Sequence, residues 1–144
     1  MKIPVHLKHK PIIEVENYNR IDGPYDADAT DAMGLSVGIA QWNKAGLTDL
    51  SAKVWRNPGE KWSRQSEELP LHRAIDLATL VCIALDYSKN GRLSLSDKFP
   101  VSRAVDNPEL ARHTELMKKE LKKNEEHLAA SLKRLSEELK RIGY

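Results

Sequence analysis

The sequence predicts an α+β protein: a small antiparallel sheet, a buried central helix and a long C-terminal amphipathic helix. Three observations carry this prediction. Short β-branched segments with alternating apolar residues fall within the first 58 residues. An apolar-rich stretch occupies residues 69–85. Leucines then recur at steps of four and three towards the C-terminus.

The first predicted strand is "PIIEVE" (11–16), β-branched and bounded by Pro11 and the polar "NYNR". The second, "LSVGIAQW" (35–42), sets Leu35, Val37 and Ile39 on one face and Ser36, Gly38, Ala40 and Trp42 on the other. "SAKVWR" (51–56) supplies a third, and "NKAGLTD" reads as a hairpin connection, so these two strands pair antiparallel. Between the first and second lies "IDGPYDADATDAMG", whose Asp22, Asp26, Asp28 and Asp31 lack metal-ligand spacing and read as a solvated acidic loop.

A helix is predicted over 66–88. Ser63 or Ser66 can cap it, Glu67 and Glu68 suit its positive end, and Pro70 belongs in a first turn. From Leu69 to Leu85 apolar residues occupy almost every side, which predicts a covered, central helix. Cys82, the single cysteine, sits in that run and reads as a buried, inert thiol. The C-terminal helix is predicted from Asp106 to Ile142, with Asp106 or Asn107 as cap and Pro108 in the first turn. Leu128, Leu132, Leu135, Leu139 and Ile142 form one apolar seam. A helix of some 34 residues is roughly 50 Å long at 1.5 Å per residue, longer than so small a domain. Residues 1–105 are therefore read as an α+β core, and 106–144 as a helix that packs on it or forms a homo-oligomer, a dimer being favoured.

The bulk properties exclude several classes. The 144 residues are 40% hydrophobic and 31% charged, with net charge +2 and pI near 8.6. This balance does not support nucleic-acid binding, which calls for a clear cationic excess. The longest apolar stretch, "AIDLATLVCIAL" (74–85), is too short to span a bilayer. No signal-peptide core is present at the start, so a cytoplasmic location with no membrane association is expected.

The densest chemistry is "GEKWSRQSEELPLHR" (59–73). Arg56 at a strand end, with Lys61, Trp62, Arg64 and Arg73 around the following turn, fits a pocket for a small anionic or nucleotide-like ligand. The competing reading has Arg64 and Arg73 pairing with Glu60, Glu67 or Glu68 to brace the loop. A second candidate is "DYSKNGRLSLSD" (86–97), whose spacing resembles the calcium loop of the EF-hand family. Asp86, Ser88, Asn90, Ser94 and Asp97 would supply oxygens around the turn at Gly91. The alternative there is a helix that ends at Lys89 or Asn90 with Gly91 as a left-handed cap. Ser63, Ser66 and His72 lie close in sequence without a nucleophile elbow, and His6 and His9 read as a surface pair.

The block "WSRQSEELPLHRAIDLATLV", with "GLSVGIAQW" and "SAKVW", resembles a family of small uncharacterised bacterial proteins over roughly residues 1–88. That resemblance implies a stand-alone bacterial or phage domain and no transferable catalytic residue. The expected function is a non-enzymatic, self-associating binding module for a small anion, with no cofactor. A protein–protein adaptor and a hydrolase with a concealed site are the alternatives.

Overall fold

The computed structural model describes residues 1–93 and 96–144. Four strands, β1 (Lys10–Glu16), β2 (Ala32–Ile39), β3 (Leu50–Arg56) and β4 (Glu68–Pro70), form one antiparallel sheet in sequence order. Three helices follow: α1 (Leu71–Asn90), α2 (Leu110–Lys123) and α3 (Glu125–Arg141). The chain is therefore α+β, with compact units Met1–Asp76 and Leu77–Tyr144. None of the described helices is long and apolar enough to cross a membrane.

The sheet register separates two chemistries. Ile13 opposes Val37, Val37 opposes Ala52, and Ala52 opposes Leu69, so one lateral row is wholly apolar. The next row is Glu14, Ser36, Lys53 and Glu68, and it points the other way because successive strand residues alternate in direction. The polar face is the covered one. Ser36, Ser51, Lys53 and Trp55 are buried, whereas Ile13, Val15, Val37 and Leu50 on the apolar side are exposed.

The polar face is covered by the N-terminal segment and the β3–β4 connection. Ile3 is buried and lies over Gly34, where a Cβ would come within 2.7 Å of Ile3 Cδ1. At Gly38 a Cβ would sit 1.9 Å from the Lys10 carbonyl oxygen and 2.9 Å from Pro11 Cα. The absence of a side chain at Gly38 lets the start of β1 lie against β2 there, next to the register shift between Pro11 and Ile13. This arrangement brings His9 over the polar row.

Two helical expectations are corrected. Glu67, Glu68 and Pro70 do not form a first helical turn; Glu68–Pro70 pair with Ser51–Lys53 as β4, and α1 begins at Leu71. Pairing with the open edge of β3 secures backbone hydrogen bonds and buries the Glu68 carboxylate, and Pro70 is tolerated because the strand is an edge. The C-terminal helix is interrupted at Asn124, whose backbone N–H and side-chain Nδ2 both donate to the Glu120 carbonyl, at 3.0 Å and 3.1 Å. Asn side chains compete with the helical backbone in this way.

The central helix is also not buried: α1 contains no buried residue, and Ile75, Leu77, Leu80 and Val81 are 42–65% exposed. Apolar residues on every side define what a helix is able to bury, but the single chain does not supply enough covering surface. Cys82 is accordingly exposed, not enclosed.

Candidate functional site

The polar row converges on Glu68, whose side chain is 1% exposed. Its Oε1 accepts three hydrogen bonds: from Ser51 Oγ at 2.6 Å, His9 Nδ1 at 2.9 Å and the Gln41 amide at 2.9 Å. A carboxylate only accepts, so the proton on this side of His9 sits on Nδ1. On the other side of the ring, His9 Nε2 lies 2.9 Å from Ser36 Oγ, which also accepts from Trp55 Nε1 at 2.8 Å. His9, expected at the surface, is 2% exposed. Its burial is possible because both ring nitrogens have partners.

The second carboxylate oxygen is different. Glu68 Oε2 is buried and has no hydrogen-bond partner among the described residues. Its nearest cation is Lys53, with Nζ at 3.9 Å, an ion pair without hydrogen-bond contact. Lys53 is itself buried, and Nζ lies 4.9 Å from the centre of the Trp55 ring. Burial pushes the Lys53 amine below its ordinary range, with the Glu68 and Glu67 charges acting against that shift. Burial also pushes the Glu68 carboxyl upward, but hydrogen bonds from Ser51, Gln41 and His9 outweigh it and hold the group below its usual value.

A pocket of about 430 Å³ opens beside this cluster, lined by His6, Lys8, His9, Lys53, Trp55 and Arg64 among others. The strands supply Lys53 and Trp55, the N-terminal segment supplies His6, Lys8 and His9, and the β3–β4 connection supplies Arg64. That connection is held by the Ser63 amide donating to the Arg56 carbonyl at 2.7 Å and by Trp62 packed edge-on against Trp55, ring centres 5.9 Å apart. No acidic side chain lines the pocket among the described residues. Arg64 makes no hydrogen bond or ion pair there with a described residue, so its guanidinium is available to a ligand. His6 and Lys8 are exposed at the rim.

The five residues expected to form an anion site are thus placed differently from one another. Arg64 lines the pocket, and Trp62 braces the indole that lines it. Arg56 points to the opposite face of β3, where it is held by Glu67 at 2.7 Å and 3.0 Å and by Asp31. Those bonds raise the Arg56 pKa further and hold Glu67 below the usual carboxylate range. Lys61 and Arg73 are exposed outside the pocket. The bracing role considered for the arginines thus belongs to Arg56, and Asp31 is engaged in it.

Asp86, Ser88 and Asn90 lie in the last turns of α1, with Asn90 Nδ2 donating to Asp86 Oδ1. Gly91 follows at φ +69°, its amide bonded to the Tyr87 carbonyl at 2.8 Å, which is the left-handed cap. Asp97 is in a bend beyond it, and Ser94 lies outside the described residues. Among the described residues no group of three or more His, Cys, Asp or Glu side chains is placed to hold a metal ion.

Lys8, His9 and Lys53 carry no sequence signal as a set, since Lys53 lies more than forty positions from the adjacent Lys8 and His9. The strand alternation of Lys53 and Trp55 is the one local hint, since it places a cation and an indole on the same face.

A family of unknown function (DUF6530) matches residues 1–144, and the chain belongs to it. No curated protein matches the chain, and no solved structure does. The family match extends through the C-terminal helices, beyond the residues that carry the resemblance in sequence.

Proposed function

We propose that this protein is a binding module that takes a small anionic ligand in the pocket between the N-terminal segment and the β3–β4 connection. The observation that carries this reading is the convergence of Lys8, Lys53 and Arg64 on a 430 Å³ pocket with no acidic lining residue among the described ones. Arg64 supplies a planar donor fork suited to phosphate or carboxylate, and Lys53 supplies a point charge against the Trp55 indole. The pocket is large enough for a small metabolite and far too small for a polymer.

Thermal unfolding in inorganic phosphate or pyrophosphate, with sodium chloride at equal ionic strength as control, tests the reading. An anion at about 100 times its dissociation constant stabilises the native state by about 2.7 kcal/mol, a shift of several degrees. Arg64→Ala is expected to leave the unliganded protein within about 0.5 kcal/mol of wild type, because Arg64 is exposed and unpaired, while abolishing the anion shift. Equal shifts with chloride and phosphate would show only salt screening and remove the site.

A second reading, self-association through the C-terminal segment, is favoured by the far end of its apolar seam. Leu128 and Leu132 face a groove with Leu85 and Leu121, but Leu135, Leu139 and Ile142 are exposed. A second copy of the same seam would cover them with knobs-into-holes contacts. Sedimentation of the full chain is expected to report a dimer, and Leu135→Glu with Leu139→Glu a monomer with unchanged helix content. A wild-type monomer at high concentration refutes it.

A further inference from the structure

We propose that the ligand is a small carbonyl acid, and that Lys53 captures it as an imine; this rests on the anion-pocket reading above. Three features of the site favour amine chemistry at Lys53 over a purely electrostatic role. The side chain is 7% exposed and Nζ forms no hydrogen bond with a described residue, so the protein does not tie the amine up. Lys53 lines the pocket directly, together with Arg64 and Lys8, which seat the carboxylate of the ligand. Finally, Glu68 Oε2 is a buried acceptor without a partner, 3.9 Å from that nitrogen. Unsatisfied buried carboxylate oxygens are uncommon in folded proteins, and this one is the nearest carboxylate to the amine.

The step balances without an oxidant or reductant. The neutral Lys53 amine attacks the carbonyl carbon, an N–C bond forms, and the C=O π pair moves to oxygen. The two protons of the nitrogen leave with that oxygen as water, the first by way of Glu68 Oε2, and an imine between Lys53 and the ligand remains. Burial that favours the neutral amine acts in the same direction as this chemistry, as in other activated lysines.

Glyoxylate is the probe, because it unites a carboxylate and an aldehyde at minimal size. Wild-type protein is incubated with glyoxylate and sodium cyanoborohydride, then mapped by peptide mass spectrometry. The expected result is a carboxymethyl group at Lys53, formed faster than at the exposed lysines near neutral pH, where a lowered pKa leaves more free amine. Excess phosphate is expected to suppress that adduct, and Arg64→Ala to slow it to the exposed-lysine rate. Adducts spread over exposed lysines with Lys53 unmodified would overturn the imine. If phosphate still stabilises the fold in that case, the anion pocket stands and only the carbonyl chemistry falls; if phosphate also fails, both fall.

Discussion

Glu68→Ala is expected to destabilise the protein by about 3–5 kcal/mol, the range for removing one partner from a buried, hydrogen-bonded charge cluster. The size follows from what the carboxylate holds together. Its Oε1 is the shared acceptor of Ser51, His9 and the Gln41 amide, contributed by β3, the N-terminal segment and the β2–β3 connection. Alanine removes the acceptor shared by the buried His9 Nδ1 and Ser51 Oγ, which keep only each other at 3.0 Å, frees the exposed Gln41 amide to solvent, and deprives Lys53 of the nearest charge that favours its ammonium form. Against a total of about 5–15 kcal/mol for a typical domain, such a loss brings the fold close to unfolding at ambient temperature. Urea titration followed by circular dichroism measures it; a loss below about 1 kcal/mol would show that water replaces the carboxylate and that the cluster is not a keystone.

Glu68→Gln separates charge from shape and gives the same cluster a pH signature. The folded pKa of Glu68 lies below its ordinary value of 4.5. The native state therefore binds this proton less readily than the unfolded chain, and the stability it contributes is present above pH 4.5 and lost as pH falls through the lower folded value. Glu67, also held low by Arg56, contributes with the same sign. Wild-type stability should decline on acidification below that point, and Glu68→Gln should decline less steeply. Parallel pH profiles would mean that Glu68 titrates alike in both states.

Much of the sheet was legible because strand alternation is a local property. Leu35, Val37 and Ile39 do lie opposite Ser36 and Gly38, and β1 and β3 fall within a residue of their expected positions. Which face is covered was not legible. Apolar alternation normally marks the buried side, yet here His9, Ile3 and Trp62 arrive on the polar side from distant positions, and a hydrogen-bonded cluster makes that burial tolerable. The error at Glu67–Pro70 has the same origin. Acidic residues ahead of a proline are good helix-start chemistry, but the open edge of β3 opposite Glu68 outweighs local propensity. Arg64 was singled out from its sequence neighbourhood alone, and it lines the pocket. Its partners Lys8, His9 and Lys53 meet it only through tertiary structure.

Trp55→Ala carries the other large expected effect, about 3–5 kcal/mol, the range for deleting a buried tryptophan side chain. Trp55 is 1% exposed and is among the largest fully buried side chains. Its ring meets His9 edge-on at 5.7 Å, meets Trp62 at 5.9 Å and lies beneath Lys53 Nζ, so it joins the strand, the N-terminal cover and the β3–β4 connection. Trp55→Phe resolves the two parts of that role. Phenylalanine keeps most of the apolar contact but removes the Nε1–H that donates to Ser36 Oγ, and is expected to cost about 1–3 kcal/mol through loss of that buried hydrogen bond. The two variants also differ at the pocket. Phenylalanine still presents a ring face beneath the Lys53 amine and should preserve the phosphate shift, whereas alanine opens the floor of the site and should lose it. If both variants bind phosphate as wild type does, the indole only supports the fold, and anion capture rests on Lys8, Lys53 and Arg64 alone.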